Sequence, residues 1–539
     1  MKRMKKLFAI LMTMAMVMGL GITGFASGQS DSAASIRGIA YEGLTEDNDK
    51  ITVTAYKIIA YDEKGTYSEV IPGTISEVDG ELSVTAANVE DLYKNHLADL
   101  KIINNDFTRV GMTDEFTCTS LDYGTWMIVI TGSEKYLYNP AVISVWKNTS
   151  GQKTYGTMDL VNDNWTESGV YAKKSEPQIK KEALTSDVEG VQYGDILQFQ
   201  ITADVPSYMS NKTVSTYSIN DTLTGLELVT GEGHAPEATV NNNQDNELTA
   251  KVNEAIVSGA KSFTVDGFSP KFFKDYAGKQ IVIKYWAKVS SDAELNVDKL
   301  NNKARLVYDT NGGPHTKYAE TKHYTFGIGT NITGGNITGS KTGEFIKVDK
   351  DGTVKYNETT NAPDITKGVP LSGAQFQLHI GSEAGTLFED ADGKKIFETT
   401  DDGRLEINGL DSDETYYLIE TKAPAGYTLN ATPVQIKINA TINETGDLTG
   451  YQVVMTVRDE GGKYEEASSV TNYGYKMEDG ETTLINTKES PSNPLGFQNT
   501  TLQSLPSTGG MGTTIFTIAG CVIMISAAGL FFASRRKAN

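Results

Sequence analysis

Apolar and polar residues alternate along much of this chain, and segments with helical periodicity are scarce. The alternation is clearest in ITVTAYKIIAY (51–61), DILQFQITADV (195–205), QIVIKYWAKV (280–289) and GAQFQLHI (373–380). Successive side chains of a strand point to opposite faces of its sheet, so a period of two indicates strands with one buried face. Turn sequences such as DKDG and DLTG separate these segments. The pattern predicts an all-β chain of tandem immunoglobulin-like β-sandwich domains.

The amino terminus departs from this pattern. Four basic residues lie between positions 2 and 6, an almost wholly apolar run covers 7–20, and the small residues Gly24 and Ala26 follow. This order is typical of a cleaved export signal, which we predict over residues 1–26. The alternative, a retained signal anchor, is disfavoured because the apolar run is short and ends in small residues.

The carboxyl terminus carries a longer apolar run, over residues 515–533, followed by Arg535, Arg536 and Lys537. Its length is sufficient to span a bilayer as a helix, and the basic residues indicate that its end stays in the cytoplasm. The sequence therefore predicts a chain that is exported at one end and held in the membrane at the other.

Composition narrows the functional classes. The chain has 539 residues and a formal net charge of −21, which disfavours binding to nucleic acid because phosphates would be repelled. Its two cysteines are Cys118 and Cys521, and Cys521 lies in the apolar tail. The exported part thus has no pair of cysteines for an internal disulfide, and another device must stabilise it.

Two polar segments suggest domain boundaries: AKKSEPQIKK (172–181) and GIGTNITGGNITGS (327–340). With the termini, they predict domains at 27–172, 173–330 and 331–500, before a sorting region at 501–539. Residues 488–504, which are rich in Pro, Ser and Asn, are interpreted as a flexible stalk.

The sequence LPSTG just before the apolar tail resembles the wall-sorting signal of Gram-positive surface proteins. That signal combines an LPxTG motif, an apolar helix and a basic tail. The resemblance implies that a sortase cleaves after the threonine and holds it as a thioester until an amine attacks. It also implies a location in the cell wall. The matching residues are Leu505, Pro506, Ser507, Thr508 and Gly509.

The segment YYLIETKAPAGY (416–427) resembles the E-box, YxLxETxAPxGY, of sortase-assembled pilins. Residues 345–378 and TLINTK (483–488) resemble the first and last strands of a collagen-adhesin B-type domain. The resemblance implies an intramolecular isopeptide bond between Lys347 and Asn486, promoted by the carboxyl of Glu420. Burial suits this chemistry, because it lowers the pKa of a lysine and raises that of a glutamic acid.

The middle domain contains a looser set of similar segments, EPQIKKEA (176–183), YSINDTLTGLEL (217–228) and LNNKARLVYD (300–309). They resemble the fimbrial isopeptide-forming domain, which implies Lys181 as amine, Asp221 as acid and Asn302 as amide. Strand alternation favours Lys181 over Lys180, since Lys181 shares a face with an apolar neighbour two positions earlier. The alternative for Asp221 is a turn-capping role.

The segment WTESGVYAK (165–173) is similar to the WxxxVxVYPK motif of backbone pilins, whose lysine attacks the thioester of the next subunit. Two departures are present: Ala172 replaces the proline, and the spacing from tryptophan to tyrosine is one residue shorter. The resemblance implies Lys173 as the polymerisation lysine, with Lys174 as the alternative.

These resemblances predict the structural backbone subunit of a covalently polymerised pilus. The implied partners are a class C-type pilus sortase, a housekeeping sortase, identical subunits, peptidoglycan, ancillary pilins and host surface ligands. The alternative is an ancillary pilin or a singly anchored adhesin. No nucleophile elbow, phosphate loop or paired-carboxylate motif occurs, so we predict no enzyme beyond autocatalytic isopeptide formation, and no cofactor. No metal site is predicted either, since the histidines lack ligand spacing: His96, His234, His315, His323 and His379.

Overall fold

The fold is nearly all β. The computed structural model describes residues 33–43, 49–62, 66–78, 81–103, 107–147, 151–159, 164–166, 170–185, 190–207, 216–293, 295, 300–310, 312–329, 343–357, 362–478, 481–484, 494–501 and 522–528. Chain contacts divide it into two compact units. The first contains residues 1–189, 193–293 and 299–323, and the second contains 190–192, 294–298 and 324–539.

The described residues of the first part of unit one form fifteen strands and one helix. They are β1 (Ala34–Arg37), β2 (Thr52–Tyr61), β3 (Tyr67–Glu69), β4 (Ser76–Val78), β5 (Glu81–Ser83), α1 (Ala86–Asn95), β6 (Ile102–Ile103), β7 (Thr108–Arg109), β8 (Phe116–Cys118), β9 (Gly124–Thr131), β10 (Leu137–Tyr138), β11 (Ala141–Lys147), β12 (Lys153–Asp159), β13 (Asn164–Thr166), β14 (Val170–Tyr171) and β15 (Lys174–Ser175).

These strands form a sandwich. One sheet has the order β14-β1-β8-β7, and the other has the order β13-β12-β11-β9-β2-β3, with β6 also paired to β2. Ile36 of the first sheet and Trp126 and Ile128 of the second belong to one buried cluster, so the two sheets face each other. The opposite face of the second sheet packs Met127 against Leu92 of α1. Alternating residues of β9 therefore fill two cores, which explains why this strand is apolar throughout.

In the second part of unit one, the residues that the structure describes form ten strands and two helices. They are β16 (Ile179–Ala183), β17 (Ile196–Asp204), β18 (Tyr217–Thr224), β19 (Leu226–Val229), β20 (Glu237–Val240), β21 (Asn243–Gln244), α2 (Asn246–Ala255), β22 (Ser262–Val265), α3 (Pro270–Tyr276), β23 (Gln280–Val289), β24 (Leu300–Thr310) and β25 (Gly313–His323).

These elements form a second sandwich. One sheet has the order β16-β17-β23-β20-β21, with β19 paired to β23, and the other has the order β22-β18-β24-β25. Strict alternation of buried positions along β23 turns Ile283 and Tyr285 inward. Phe263 of the opposite sheet meets Tyr285 edge-on, with 5.1 Å between ring centroids. The space between the two sheets is therefore closed by aromatic rings.

Side-chain caps start the helices. The side chains of Thr85, Asp245 and Ser269 accept hydrogen bonds from backbone N–H groups in the first turns of α1, α2 and α3. Such caps satisfy amides that have no partner within the helix. The first residue of α3 is Pro270, whose fixed φ suits that position.

Thirteen strands lie in the described part of unit two. They are β26 (Phe326–Ile328), β27 (Phe345–Asp349), β28 (Thr353–Asn357), β29 (Ala362–Lys367), β30 (Gln375–Ile380), β31 (Phe397–Glu398), β32 (Ile407–Leu410), β33 (Thr415–Lys422), β34 (Val434–Ile442), β35 (Leu448–Val457), β36 (Ser469–Glu478), β37 (Glu481–Leu484) and β38 (Leu495–Asn499).

The main sheet of unit two has the order β31-β30-β33-β34-β35-β36-β37, and three two-stranded sheets accompany it: β26-β32, β27-β38 and β28-β29. The β27-β38 pair is parallel, with Lys347 opposite Phe497 and Asp349 opposite Asn499. Phe345 and Phe497 of this pair share a buried cluster with Phe376 of the main sheet. The pair therefore covers the core that the main sheet lines.

The all-β prediction is confirmed. Among the described residues, helix is restricted to α1, α2, α3 and residues 522–528. The interpretation of 488–504 as a flexible stalk is wrong for residues 495–499, because β38 pairs with β27 and buries two of its apolar side chains.

The predicted export signal over 1–26 lies outside the described residues, as do all but residues 522–528 of the predicted membrane helix over 515–533. Within the described part of the chain, no helix has the length and apolar character needed to cross a membrane.

Candidate functional site

The second sandwich of unit one, called the middle domain below, encloses a lysine, a carboxylate and an amide between its two sheets. Lys181 lies on β16, in one sheet, while Asp221 on β18 and Asn302 on β24 belong to the other. Asn302 is opposite Leu223 in the register of β18 and β24, two positions from Asp221, so both side chains point to the same face. The structure thus brings together the three residues that the sequence singled out in this domain.

A tyrosine hydroxyl lies at the centre of this cluster. Lys181 Nζ donates hydrogen bonds to Asp221 Oδ1 and to the hydroxyl of Tyr285, the latter at 2.6 Å. The hydroxyl donates to Asp221 Oδ2. It also accepts a bond from Asn302 Nδ2 at 2.8 Å. Tyr285 therefore contacts all three members of the cluster.

Burial sets the electrostatics of this site. The side chains of Lys181 and Asp221 are both 0% exposed. Removal from water lowers the pKa of Lys181 to about 8, although the adjacent Asp221 carboxylate opposes this shift. Near neutral pH, part of the lysine population is then uncharged and nucleophilic.

Lys180 has a different environment. Its side chain is 68% exposed and forms an ion pair with Glu182 at the protein surface. Adjacent strand residues point to opposite faces, so only one of the two lysines can reach the interior. Lys181 is the one that lies against Asp221.

Unit two encloses a second cluster of the same composition. Lys347 lies on β27, Glu420 on β33 and Asn499 on β38, and each is at most 1% exposed. Lys347 Nζ is 3.2 Å from Glu420 Oε1 and donates a hydrogen bond to Asn499 Oδ1. Asn499 Nδ2 lies 3.0 Å from Glu420 Oε1 and 3.2 Å from Oε2. Here the carboxylate contacts amine and amide directly.

Aromatic rings close the second cluster. Lys347 Nζ lies 4.1 Å from the ring centroid of Phe497 and 5.7 Å from that of Phe376. Desolvation lowers the pKa of Lys347 to about 8, and the charge of Glu420 works against that change. The backbone N–H of Asn430 donates to Glu420 Oε2 at 2.7 Å and helps to fix the carboxylate.

The amide of this cluster differs from the one that the sequence suggested. Asn486 lies outside the described residues. The amide in contact with both Lys347 and Glu420 is that of Asn499. In the described part of the chain, β27 pairs with β38, which follows the TLINTK segment and brings Asn499 to this position.

Lys173 lies between two short strand pairs at the end of the first sandwich. Ala172 N donates to Arg37 O at 2.7 Å, and Lys173 O accepts a bond from Asn139 N at 3.0 Å. The main chain is thus fixed on both sides of Lys173, whose side chain is exposed. Lys174 is exposed too, and its Nζ lies 4.7 Å from the ring centroid of Tyr136.

The predicted sorting motif lies outside the described residues, which exclude Leu505, Pro506, Ser507, Thr508 and Gly509. Among the residues that the structure describes, no three His, Cys, Asp or Glu side chains are grouped so that they could hold a metal ion.

Sequence reasoning missed two members of the clusters, Asn499 and Tyr285. The alternation of inward and outward positions along their strands marks each of them as inward-facing. Leu495, Phe497 and Asn499 are the buried positions of β38, and Tyr285 follows Ile281 and Ile283 in the inward series of β23. Alternation alone shows that a side chain points inward, but not what it meets there.

Comparison with known families gives two matches. Residues 357–452 match the SpaA prealbumin-like fold domain, and this range contains the predicted E-box. Residues 498–539 match the LPXTG cell wall anchor motif, which confirms the predicted sorting signal.

Relatives extend over most of the chain. The Trypsin-resistant surface T6 protein of Streptococcus pyogenes serotype M6 is 24% identical over an alignment of 571 positions, gaps included, which covers 97% of this chain and 98% of the relative. Fimbrial subunit type 1 of Actinomyces viscosus is 26% identical over an alignment of 206 positions, which covers 33% of this chain and 31% of the relative. The solved structure of the T6 backbone pilin of S. pyogenes serotype M6 aligns with 88% of this chain and 99% of its own, at 17% identity and a TM-score of 0.47. Along nearly its whole length the chain is therefore similar to a streptococcal surface protein, and its anchor motif locates it at the cell wall and cell surface.

Proposed function

We propose that this chain is the structural backbone subunit of a covalently polymerised surface pilus. The observation that carries the proposal is the enclosure of a lysine, a carboxyl and an asparagine amide in each of two domains of a chain with a wall anchor motif. A fibre subunit must resist unfolding under tension and proteolysis outside the cell, and this chain has no pair of cysteines for an internal disulfide in its exported part. The name of the Actinomyces relative, a fimbrial subunit, is consistent with this role.

The internal chemistry is autocatalytic isopeptide formation. In unit two, Nζ of Lys347 attacks Cγ of Asn499, the new Nζ–Cγ bond replaces the Cγ–Nδ2 bond, and ammonia leaves. Glu420 lies within hydrogen-bond distance of both nitrogens, so it can accept a proton from the amine and return one to the departing nitrogen. The products balance: the amine loses the proton that the ammonia gains.

The middle domain supports a second bond of this kind, from Lys181 to Asn302 with Asp221 as the acid. Lysine attacks only when neutral, and burial favours its neutral form at both sites. Each bond would connect strands that are distant in sequence. We assign both as permanent cross-links of the folded subunit.

Assembly between subunits requires an acyl donor and an amine. We propose that a class C-type pilus sortase cleaves after Thr508 and transfers its carbonyl to Nζ of Lys173 in another copy of the chain. Such a head-to-tail contact repeats without closing and therefore builds a filament. A housekeeping sortase would attach the last subunit to peptidoglycan, and ancillary pilins and host surface ligands would be further partners.

The decisive experiment is a denaturing gel of cell-wall extracts from cells that contain the chain and its pilus sortase. Covalent polymers survive boiling in detergent, so we expect a high-molecular-weight ladder. Lys173→Ala should reduce this ladder to monomer, whereas Lys180→Ala, which removes another exposed lysine nearby, should leave it intact. A ladder that persists in Lys173→Ala but disappears in the Lys173/Lys174 double variant would assign Lys174. Monomer alone in the wild type would reject the backbone role in favour of a singly anchored adhesin.

A further inference from the structure

The two enclosed clusters differ in how the carboxyl reaches the amide. In unit two, both oxygens of Glu420 lie within 3.2 Å of Asn499 Nδ2. In the middle domain, no hydrogen bond within the described part of the chain joins Asp221 directly to Asn302. Aspartate is one methylene shorter than glutamate, and the hydroxyl of Tyr285 occupies the intervening position.

Tyr285 is fully buried, and its ring packs against Phe199 with 5.7 Å between centroids. Phenylalanine would fill the same space, so packing alone does not require the hydroxyl. Yet the hydroxyl donates to Asp221 Oδ2 and accepts from Asn302 Nδ2, and Lys181 Nζ lies 2.6 Å away. It thereby contacts the attacking nitrogen, the acid and the departing nitrogen.

We propose that Tyr285 is a catalytic residue of the middle domain, where its hydroxyl relays a proton from Asp221 to the departing nitrogen of Asn302. This inference rests on the proposed Lys181–Asn302 bond and adds a fourth residue to it. In unit two the longer Glu420 needs no such relay.

The proposed sequence begins with transfer of a proton from Lys181 Nζ to Asp221 Oδ1, which leaves the amine neutral. Nζ then attacks Cγ of Asn302. Nδ2 gains one proton from the Tyr285 hydroxyl, which is refilled from Asp221, the Cγ–Nδ2 bond breaks, and ammonia leaves. Nζ gives its second proton to the Asp221 carboxylate that this transfer regenerates, and the new amide is neutral. Of the two protons that the lysine ammonium gives up, one leaves in the ammonia and the other remains on Asp221.

A tyrosine hydroxyl is suited to this role because it donates and accepts at the same oxygen. Burial and the adjacent carboxylate raise the pKa of Tyr285 well above its ordinary value, so the group transfers protons without becoming an anion. The carbonyl oxygen of Asn302 has no hydrogen-bond partner among the described residues. The hydroxyl therefore acts at the nitrogen side of the amide.

The test is Tyr285→Phe in the full exported chain, with intact mass followed over time after purification. General acid–base groups typically contribute 10²–10⁴-fold, so we expect formation of the middle-domain bond to slow by about 10²-fold or more. The matched control is Tyr308→Phe, which removes the hydroxyl of another fully buried tyrosine of the same domain, whose partner is Lys135 O. The bond of unit two should be complete in both variants.

A second variant separates relay from packing. In Tyr285→Phe/Asp221→Glu, the longer carboxyl should reach the amide as Glu420 does in unit two, and bond formation should recover. A Tyr285→Phe protein that cross-links as fast as the wild type would overturn the relay. Loss of the bond together with loss of the folded circular dichroism signal, without recovery in the double variant, would assign Tyr285 a packing role and overturn it as well.

Failure of the underlying bond gives a different result. If the wild type yields no branched peptide joining the segments of Lys181 and Asn302, the proposed middle-domain bond is absent, and Tyr285 has no reaction to assist. If that peptide is present in the wild type and in Tyr285→Phe at equal rate, only the relay is rejected.

Discussion

Lys347 donates a hydrogen bond to the side-chain carbonyl of Asn499, 152 positions further along the chain. The two residues lie on the adjacent parallel strands β27 and β38, with Glu420 within reach of both. A covalent bond at this point would close nearly the whole domain into one loop.

This relationship predicts the behaviour of Asn499→Ala. The exported wild-type chain should be lighter than its sequence mass by two ammonia molecules, and the variant by one only. Closure of a loop of 152 residues contributes about 5 kcal/mol in the chain-entropy model, so the variant should unfold at a distinctly lower temperature.

Two further variants serve as controls for this prediction. Glu420→Ala should also retain the additional ammonia, whereas Asn486→Ala should have the wild-type deficit and unfolding temperature. A loss of two ammonia masses in Asn499→Ala would contradict Asn499 as the bonded amide.

The middle domain predicts a branched peptide. A proteolytic digest analysed by tandem mass spectrometry should contain one species that joins the segments of Lys181 and Asn302. Lys181→Ala should abolish it, while Lys180→Ala should not, because Lys180 is at the surface. Recovery of both segments as linear peptides in full yield from the wild type would contradict the assignment.

Without its cross-link, unit two should become more stable as the pH rises. Burial lowers the pKa of Lys347 from 10.5 to about 8, so between these values the unfolded chain binds more protons than the folded chain. Stability then rises with pH, and the destabilisation caused by burying the charged amine is fully present below about pH 8. We expect Asn499→Ala to gain up to about 3 kcal/mol between pH 8 and pH 10.5 relative to the wild type, whose amine is consumed in the bond.

Denaturant unfolding at several pH values would measure this gain. The matched control is Lys347→Met/Asn499→Ala, which lacks the titrating amine and should show no such rise. If the free energy of unfolding rose equally with pH in the single and double variants, the titration of Lys347 would not be the cause of the rise.

The first sandwich contains a nearly buried ion pair whose loss should destabilise this domain. Arg109 and Asp49 form an ion pair whose side chains are each 8% exposed, and Arg109 also donates to the carbonyls of Ile39 at 3.1 Å and Ala40 at 3.0 Å. Asp49→Asn leaves a buried guanidinium without its counter-charge and should destabilise this domain by about 3 kcal/mol or more. Calorimetry would resolve the transition.

The control for Asp49 is Asp122→Asn. Asp122 pairs with Lys57 but is 59% exposed, so its loss should cost less than about 1 kcal/mol. Similar effects of both substitutions would show that burial does not set the strength of the Arg109 pair.

Residues within strands of clear alternation were predictable, and pairings between distant strands were not. Strand alternation alone distinguishes Lys181, which points inward, from Lys180. Asn499 was missed because Pro491 and Pro494 precede β38 and make the segment look like a linker. Which strand closes a domain depends on long-range pairing, and local sequence carries little information about that.

Tyr285 illustrates the same limit for a site. The series Ile281, Ile283 and Tyr285 predicts an inward ring, and it does so correctly. Its contact with Asp221 and Asn302 depends on how two sheets face each other, because those residues belong to the opposite sheet. No spacing along the chain encodes that distance.

The parallel pairing of β27 and β38 also determines how the subunit would respond to being pulled. Tension applied along a fibre would enter the β27–β38 pair near residue 343 and leave it near residue 501, and both strands run the same way. With Lys347 and Asn499 joined, the pull passes from one strand to the other through a single side-chain bridge, and residues 348–498 carry none of it. A fully extended chain spans about 3.3–3.6 Å per residue, so unfolding of the 152-position span would lengthen the subunit by roughly 500 Å. The bond would prevent that extension. A fibre of such subunits would transmit a tug from its far end to the cell wall with little lengthening.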